Sequence, residues 1–474
     1  MNPPAPRRDL LPAILLAVAV TVVVFRLWTS FCFFPLPDWN TLRLTPTFML
    51  RFGAAAYPGL HDGALTTWIY GPVPLLLNLP ATLAAGIVPA VLIAAAINLL
   101  VAIVPVALAV WTLSSRSGAV VRSEKAWAIL LVLALWPNSS LHHIQADNVA
   151  LAFGLVSQVW LVHARAGARF GWFLAALGAA LAVWSKQTSV GLIVAQIAWL
   201  ALSTSGRAAL RYAVLCAGAG LGLGAGFVGW FGFDALWLNL VEIPGRIPSA
   251  PDYVERTQQL WMQIAGYVVL PAWAVVVFRR TVWRRDSDWL LPVLTWLCLL
   301  PLGMVSIYKW GGASNSLNGV LYLLPIAALQ AVRGFAAWRG SVAQAGGAVA
   351  VLIIVSQQLR FAPLLPVRPL TVHLEEAALL AEKMPGQVWF PWHPLVTFLS
   401  EGRFDHTEDG LHTRKVAGVG LGPREAGEHL PPQWTTTAVL GWRELGEFRE
   451  LQPGSAQMAH FGRWTLFIWT PADR

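Results

Sequence analysis

The alternation of long apolar runs with short basic gaps constrains the fold of this chain more than any motif. Apolar runs recur between residues 10 and 358, and arginine and lysine gather in the gaps between them. With 56% hydrophobic and only 12% charged residues, the composition is typical of a polytopic helical membrane protein and excludes an ordinary soluble globule. Much of the net charge of +9 lies in these gaps, so it does not indicate nucleic-acid binding.

The basic gaps also predict how often the chain crosses the membrane. Short cationic loops remain on the cytoplasmic side. Successive gaps on one side must be separated by an even number of spans, so two spans per interval and one after the last gap predict eleven. The N-terminus is then cytoplasmic and the C-terminus lies outside. The gaps are Arg7/Arg8, Arg116/Arg122/Lys125, Arg165/Arg169, Arg207/Arg211, Arg279/Arg280/Arg284/Arg285 and Arg333/Arg339.

The predicted spans follow the apolar runs. They cover residues 10–28, 87–113, 126–141, 147–163, 170–184, 190–203, 212–233, 260–278, 289–308, 319–332 and 341–358. The first is interpreted as a retained signal anchor, because no small-x-small cleavage site follows it. Several are shorter than the roughly 20 residues that cross a bilayer, so 170–203 could instead be one span and a partly inserted helix. The charge alternation favours two spans in this stretch. Prolines in the apolar stretch 72–86 disrupt helical hydrogen bonding and predict an interfacial segment.

The composition changes after residue 359, where acidic residues appear with Pro and Gly turns and no run long enough to span a bilayer. We predict a helix at 374–384 and strands at 386–392, 436–442 and 464–470. The predicted fold class is therefore an all-α polytopic membrane protein with about eleven transmembrane helices and a small C-terminal α/β soluble domain. Residues 1–358 form the membrane domain, with a long first outer loop at 29–86, and residues 359–474 form a periplasmic domain.

The unusual polar residues all fall in the returns that face away from the cytoplasm. Lys186 and Lys309, at the ends of predicted spans, break the positive-inside rule, and a bound anion would explain them. A lysine at a helix end more commonly extends its ammonium to the interface. Asp147 is a candidate acid or a helix N-cap. His142 and His143 lie near it, but their spacing matches no recognised zinc site, and we predict no metal.

Taken together, these returns resemble those of a known family. Asp38 lies in the first outer loop, Tyr57–Pro74 resembles a "Y-P-P-L" segment, Gln145–Ala152 resembles "R-P-D-x-L-A-L-A", and Trp184–Thr188 resembles "L-T-K-Q-T". Tyr308–Asn318 is similar to a looser "K-x-G-G-x-x-N". Over roughly its first 330 residues the chain resembles the bacterial GT-C glycosyltransferases, which are related to protein O-mannosyltransferases and lipid A aminoarabinose transferases. Three departures are Trp39 in place of a second acid, Gly71 in place of the first proline, and Gln145-Ala146 in place of Arg-Pro.

The resemblance implies a glycosyltransferase that moves a hexosyl or pentosyl unit from a polyprenyl phosphate to an acceptor hydroxyl. The transfer occurs on the periplasmic face of the bacterial inner membrane and modifies a cell-envelope glycan, lipid or protein. No cofactor and no nucleic-acid partner are implied. Cations at membrane level neutralise the departing phosphate, and a loop carboxylate acts as general base. The site residues are Asp38 as base with Asp147 in reserve, Lys186, Lys309, Arg43 and Arg51 for the donor phosphate, and His61, Tyr70 and Asn315 for binding the acceptor or shaping the loop.

For Asp38 a second role remains open, because Pro37-Asp38 before a polar run is also a helix-start signal with Asp38 as N-cap. Two other classes of protein also remain open. A transporter or flippase of a lipid-linked precursor is equally basic and apolar, but such proteins commonly carry internal repeats and a midplane site. The chain shows no repeat, and its polar residues gather at one face. A membrane scaffold would leave the outer lysines unexplained.

Overall fold

The structure is a computed structural model, and it is described here for the greater part of the chain. The described residues are 38–116, 122–136, 143–255, 257–259, 289–337, 372–440 and 456–469, with a few isolated positions. The predicted spans 10–28, 260–278 and 341–358 lie almost wholly outside this part, as do His142, the basic gap 279–285 and the predicted domain boundary at 358/359.

Helices dominate the described part. They are α1 Asp38–Arg51, α2 Val73–Leu77, α3 Ile87–Arg116, α4 Arg122–Leu135, α5 Ala146–Arg165, α6 Gly171–Val183, α7 Val190–Ser203, α8 Gly206–Phe231, α9 Phe233–Trp237, α10 Ile243–Arg246, α11 Leu290–Tyr308, α12 Leu324–Ala337, α13 Val372–Lys383, α14 Pro394–Glu401, α15 Glu408–Val416 and α16 Pro423–Ala426. Among the described residues, three helices are long and apolar enough to cross a bilayer, within α3, α8 and α11. The protein is thus a largely helical membrane protein, while the number of eleven spans stays a prediction.

The stretch 170–203 forms two antiparallel helices. Trp172 at the start of α6 packs on Tyr212, with ring centroids 6.2 Å apart, and Trp184 just past its end packs on Phe227 at 5.1 Å, so α6 runs alongside α8 in the same direction. Gln196 of α7 accepts a hydrogen bond from Tyr212 at 2.7 Å, so α7 returns along the same helix. With 13 and 14 residues, both helices are about 20 Å long, shorter than the bilayer core of about 30 Å.

Buried polar side chains tie these apolar helices together. Gln196 donates to Ser157 at 2.8 Å, and Ser157 donates to the carbonyl oxygen of Ala175 at 2.7 Å. Gln158 donates to Thr295 of α11 at 2.8 Å. Hydrogen bonds between helices satisfy polar groups that lipid cannot, so this cluster fixes how α5, α6, α7, α8 and α11 pack.

The C-terminal segment contains a four-stranded sheet in the order β1-β2-β4-β3. Its strands are β1 Val388–Trp389, β2 Thr436–Leu440, β3 Ala456–Phe461 and β4 Trp464–Trp469. β1 pairs in parallel with β2, and the other two pairings are antiparallel. The predicted helix and strands are present, although β1 has only two residues. The sequence did not predict β3, because Ala-Gln-Met-Ala-His-Phe lacks the β-branched residues that favour strands.

The predicted first outer loop is more regular than expected, because it begins with the 14-residue helix α1. The segment 72–86 holds only the short helix α2 and a 3₁₀ turn, in keeping with an interfacial segment. Leu44 and Phe48 of α1 are fully buried, in one core with residues of the C-terminal segment such as Leu374, Val396 and Trp464. The C-terminal segment therefore packs on the first outer loop through a shared apolar core.

Candidate functional site

Asp147, Lys186 and Asn315 meet where three helices begin. Lys186 forms an ion pair with Asp147, and Asn315 donates to the other carboxylate oxygen at 2.8 Å. Asp147 lies in the first turn of α5, Lys186 directly precedes the turn Gln187–Ser189 that leads into α7, and Asn315 lies in the 3₁₀ turn Ser314–Leu323 that leads into α12. Unpaired N–H groups at helix N-termini favour a negative charge. The arrangement is therefore suited to bind an anion.

The opposite end of this helix layer is basic. Arg165 lies in the last turn of α5, roughly 27 Å of helix away from Asp147. Its guanidinium lies 5.0 Å from the ring centroid of Trp199 in α7, so both helices share this end. Gly167, with φ +96°, follows and lets the chain turn towards α6. The polar cluster and the basic gap 165–169 are thus at opposite ends of the helices.

Lys186 is held in its charged form by its neighbours. Its side chain is 12% exposed, and burial by itself would lower its pKa. The Asp147 carboxylate, helped by Tyr70, outweighs burial, so the pKa of Lys186 is raised above its ordinary value. An ammonium carries three N–H donors, and among the described residues Asp147 is the single hydrogen-bond acceptor for Lys186. Two donors are therefore available to a ligand.

A small cavity of about 50 Å³ adjoins the cluster. Asp147, Lys186 and Asn315 line one part of it, and Thr188 and Asn318 add further polar groups. Leu151, Leu299 and Tyr322 complete the wall with apolar surface. The cavity therefore places hydrogen-bonding groups at the boundary of an apolar helix layer.

The Trp68–Pro72 turn contacts the backbone of the Lys186 turn directly. The N–H groups of Gly71 and Val73 donate to the carbonyl oxygens of Ser185 and Trp184 at 3.3 and 3.4 Å. A Cβ at position 71 would overlap the carbonyl of Trp184. This close approach explains why glycine stands at position 71, and it brings Tyr70 close enough to Lys186 to raise its pKa.

Arg43 joins this region from α1. Its guanidinium donates to the carbonyl oxygen of Ile144 at 3.2 Å and lies 5.2 Å from the ring centroid of Trp39. Its positive charge opposes protonation of Lys186, so the two cations are close. Arg43, Tyr70, Asp147, Lys186 and Asn315 are thus five predicted site residues that the structure brings together.

Four predicted residues are not seen in this cluster. Lys309 donates to the carbonyl oxygens of Pro244 and Gly245, the latter at 3.4 Å. Arg51 and His61 are exposed, and among the described residues neither forms a hydrogen bond or ion pair with Lys186. Asp38 begins α1, but its side chain lies outside the described part of the structure. The roles predicted for these four residues stay predictions.

The sequence did not single out Gln187 and Arg414, whose side chains join segments that are distant along the chain. Gln187 donates to the carbonyl oxygens of Ile69 at 2.9 Å and Leu240 at 3.1 Å. Arg414 is fully buried, and burial lowers its pKa to about 10. Its guanidinium donates to the Thr66, Gly410 and Pro58 carbonyls at 2.9, 3.3 and 3.5 Å and to the Asn239 side chain at 3.0 Å. Apart from Gly410, the residues that Arg414 contacts are more than 170 positions from it along the chain. A local sequence pattern therefore could not predict these contacts.

No group of three or more His, Cys, Asp or Glu side chains placed to hold a metal ion occurs within the described residues. The absence of a metal, as predicted from the sequence, stays a prediction.

The fold thus combines apolar helices whose N-termini meet at a polar cluster with an α/β segment packed on the first outer loop. Two solved structures carry this fold, both of ArnT from Cupriavidus metallidurans. The apo structure matches with a TM-score of 0.57 and 11% identity, over 96% of this chain and 97% of that one. The structure bound to undecaprenyl phosphate matches with a TM-score of 0.53 and 12% identity, over 97% and 98%.

These likenesses confirm, at the level of fold, the resemblance found in the sequence. At 11% and 12% identity they show the fold alone. No family model matches the sequence, and no curated protein resembles it significantly.

Proposed function

We propose that the protein is a membrane glycosyltransferase that moves a sugar from a polyprenyl phosphate to an acceptor hydroxyl on the periplasmic face of the inner membrane. The observation that carries the proposal is the position of Lys186. Its largely buried ammonium lies where three helix N-termini meet and has two N–H donors available for a ligand. The ArnT structure bound to undecaprenyl phosphate supports a lipid phosphate as the ligand class.

The reaction exchanges one C–O bond for another. The acceptor oxygen attacks the anomeric carbon, the bond from that carbon to the phosphate oxygen breaks, and polyprenyl phosphate leaves with the electron pair. The acceptor proton passes to a carboxylate. Cations placed where the negative charge develops lower the barrier, and this is the role we give to Lys186 and Arg43.

The two acids have different environments. Both carboxylate oxygens of Asp147 are occupied, one by the ammonium of Lys186 and the other by the side-chain N–H of Asn315. We therefore assign Asp147 to orienting Lys186, and we keep Asp38 as the proposed base. Lys309 donates to the Pro244 and Gly245 carbonyls, which leaves its ammonium one N–H for a phosphate. Arg51 and His61 are exposed, and their proposed roles come from the resemblance alone. Tyr70 and Asn315 remain proposed contacts of the acceptor.

We also propose that residues 1–358 form the catalytic membrane domain and that residues 359–474 form a periplasmic domain covering the site. The shared core between α1 and the C-terminal segment supports the placement of both on one side of the membrane.

A transfer assay in proteoliposomes tests the proposal. Purified protein is given a panel of undecaprenyl-phosphate hexoses and pentoses, with a detergent extract of bacterial envelope lipids and glycans as acceptor. We expect the sugar to leave the lipid and undecaprenyl phosphate to accumulate, and we expect Lys186→Met to abolish most of this. A flippase would instead move the donor between leaflets with its sugar–phosphate bond intact. Intact donors throughout the panel would reject the transferase.

A further inference from the structure

Gln187, the residue after Lys186, joins two distant segments through one side-chain amide. Its Nε2 donates to the carbonyl oxygens of Ile69 at 2.9 Å and of Leu240 at 3.1 Å. Because both partners can only accept, they fix which end of the amide is the nitrogen. Ile69 belongs to the outer loop, and Leu240 lies in the π-helical turn between α9 and α10. The amide therefore anchors the Lys186 turn, residues 184–189, between these two segments.

The Lys186 turn has few other hydrogen bonds to these segments. On the side of the outer loop, the N–H groups of Gly71 and Val73 reach the turn at 3.3 and 3.4 Å, longer than the bond from Gln187 to that loop. On the other side, Gln187 makes the one hydrogen bond between the turn and the α9–α10 region in the described part of the chain. Loss of this amide would therefore leave the turn with only the two long bonds to the loop.

The region that Gln187 reaches also supports Lys309. Helix α9, the π turn and α10 form one unbroken helix, in which Pro244 lies about one turn after Leu240. The carbonyl oxygens of Pro244 and Gly245 accept from the ammonium of Lys309, the latter at 3.4 Å. One helical region thus contacts Lys309 directly and the Lys186 turn through Gln187.

Lys186 depends on its turn for the direction of its free donors. Asp147 holds the ammonium at one N–H, but the long flexible stem of a lysine lets the other two point in many directions. Groups that bind a substrate are effective when neighbouring hydrogen bonds hold them to within about 0.5 Å of their working position. Lys186 and Thr188 line the cavity beside the cluster, whereas the side chain between them, Gln187, donates to Ile69.

We propose that Gln187 is a positioning residue for the donor. Its amide does not bind the phosphate. It holds the Lys186 turn in place, so that the free N–H groups of Lys186 stay directed at the phosphate. This inference rests on the proposed function.

Binding of undecaprenyl phosphate without a sugar tests the role of Gln187. Gln187→Met keeps the length of the side chain and removes both hydrogen bonds. We expect it to bind the lipid roughly fivefold more weakly in titration calorimetry, the equivalent of one hydrogen bond. Gln187→Asn keeps an amide that is one methylene too short to reach both carbonyls, and it should weaken binding even if the methionine variant does not fold. Gln457→Met, an exposed position of β3, is the control and should bind as wild type does.

A double-mutant cycle separates positioning from packing. If Gln187 acts through Lys186, Gln187→Met has no further effect on binding once Lys186→Met is present. A merely structural residue lowers the melting temperature and changes binding by the same factor in both backgrounds. Gln196→Met is the matched structural control, because Gln196 also ties α7 to other helices but binds Ser157 and Tyr212. Equal effects of Gln187→Met with and without Lys186 overturn the inference.

The inference and the proposed function can fail separately. A wild-type protein that binds undecaprenyl phosphate and transfers sugar, with Gln187→Met binding the lipid equally well, overturns the positioning role and leaves the proposed function standing. A wild-type protein that binds the lipid but transfers no sugar rejects the transferase, and the cycle still decides the role of Gln187. A wild-type protein that does not bind the lipid rejects both.

Discussion

Lys186 differs from an ordinary interfacial lysine in where its ammonium goes. It turns inward to Asp147 and stays largely buried, instead of extending to water. Removing a buried charge from water is unfavourable unless partners replace the hydration, and a single carboxylate replaces only part of it. A bound phosphate would supply the missing acceptors, so the lysine is best explained together with a ligand.

Replacing Lys186 by methionine should lower kcat/KM for the lipid-linked donor roughly tenfold or more. The variant keeps the aliphatic stem and loses a charge-assisted hydrogen bond worth about 1.5–3 kcal/mol. The matched control is Lys383→Met, an exposed lysine on α13. Lys309→Met, measured in parallel, shows whether the second lysine also serves the donor or only holds the 244–245 carbonyls. Wild-type turnover of Lys186→Met would make this lysine a structural residue.

Asp38→Asn separates the two roles of that residue. Asparagine caps a helix as well as aspartate does, but it cannot accept a proton. If Asp38 is the base, the variant binds undecaprenyl phosphate normally and transfers sugar about 10²–10⁴-fold more slowly. Asp147→Asn is the comparison, and it should weaken donor binding through Lys186 instead. If Asp38→Asn transfers sugar at nearly the wild-type rate, Asp38 only caps α1 and another residue is the base.

The sequence pointed to Asp147, Lys186 and Asn315 one at a time, through broken charge rules and motif resemblance. That they touch could not be predicted, because 39 and 168 residues separate the partners along the chain.

At the scale of elements, short helices meet the demands of a lipid environment by sharing polar side chains. The hydrogen bonds of Gln196 with Ser157 and Tyr212 tie α7, which is too short to span the bilayer core, to the longer helices α5 and α8. Apolar runs in the sequence located the apolar helices of the membrane domain. For α1, whose burial depends on the C-terminal segment, the sequence offered only the helix-start signal at Pro37-Asp38 as an alternative, and it did not predict β3, which pairs with β4.

The loop between α14 and α15 should make stability depend on pH. Asp405 is 2% exposed, and its carboxylate lies 3.3 Å from Nε of Arg403. Burial raises the pKa of Asp405 to about 7, an effect that Arg403 opposes and Glu401 reinforces. In the unfolded chain the group titrates near pH 3.9. Its contribution to stability is therefore fully present below about pH 4 and is lost as the pH rises through 7.

Asp405→Asn removes this dependence. The melting temperature of the variant relative to wild type should be lowest near pH 4.5 and should rise towards pH 8, in thermal unfolding of the purified protein. Glu425→Gln, an exposed acid on α16, should leave the pH profile unchanged. Parallel profiles for wild type and Asp405→Asn would show that the carboxyl is ionised throughout this range.

At the scale of the whole molecule, the distribution of charge orients the protein in the membrane. We expect alkaline phosphatase fused after residue 285 to be inactive and the same reporter fused after residue 474 to be active, because the basic gap 279–285 is predicted inside and the tail outside. A fluorescent protein that folds only in the cytoplasm should give the converse pattern. Phosphatase activity at 285, or its absence at 474, would contradict the eleven-span arrangement and the placement of the site.

Composition and charge alternation were sufficient to predict a helical membrane protein with an α/β tail, and the resemblance added the fold. The packing of that tail on the first outer loop was beyond them, because it joins residues more than 340 positions apart, such as Leu65 and Thr407. Local patterns carry no information about contacts of that range.

The four hydrogen bonds of Arg414 also set an order in time. Pro58 and Thr66 are synthesised 356 and 348 residues before Arg414. At about 5–20 residues per second, the interval is roughly 20–70 s. During that time the carbonyl groups of Pro58 and Thr66 lack the guanidinium that binds them in the folded protein. The packing of the outer loop on the C-terminal segment is therefore a late event in the folding of the protein.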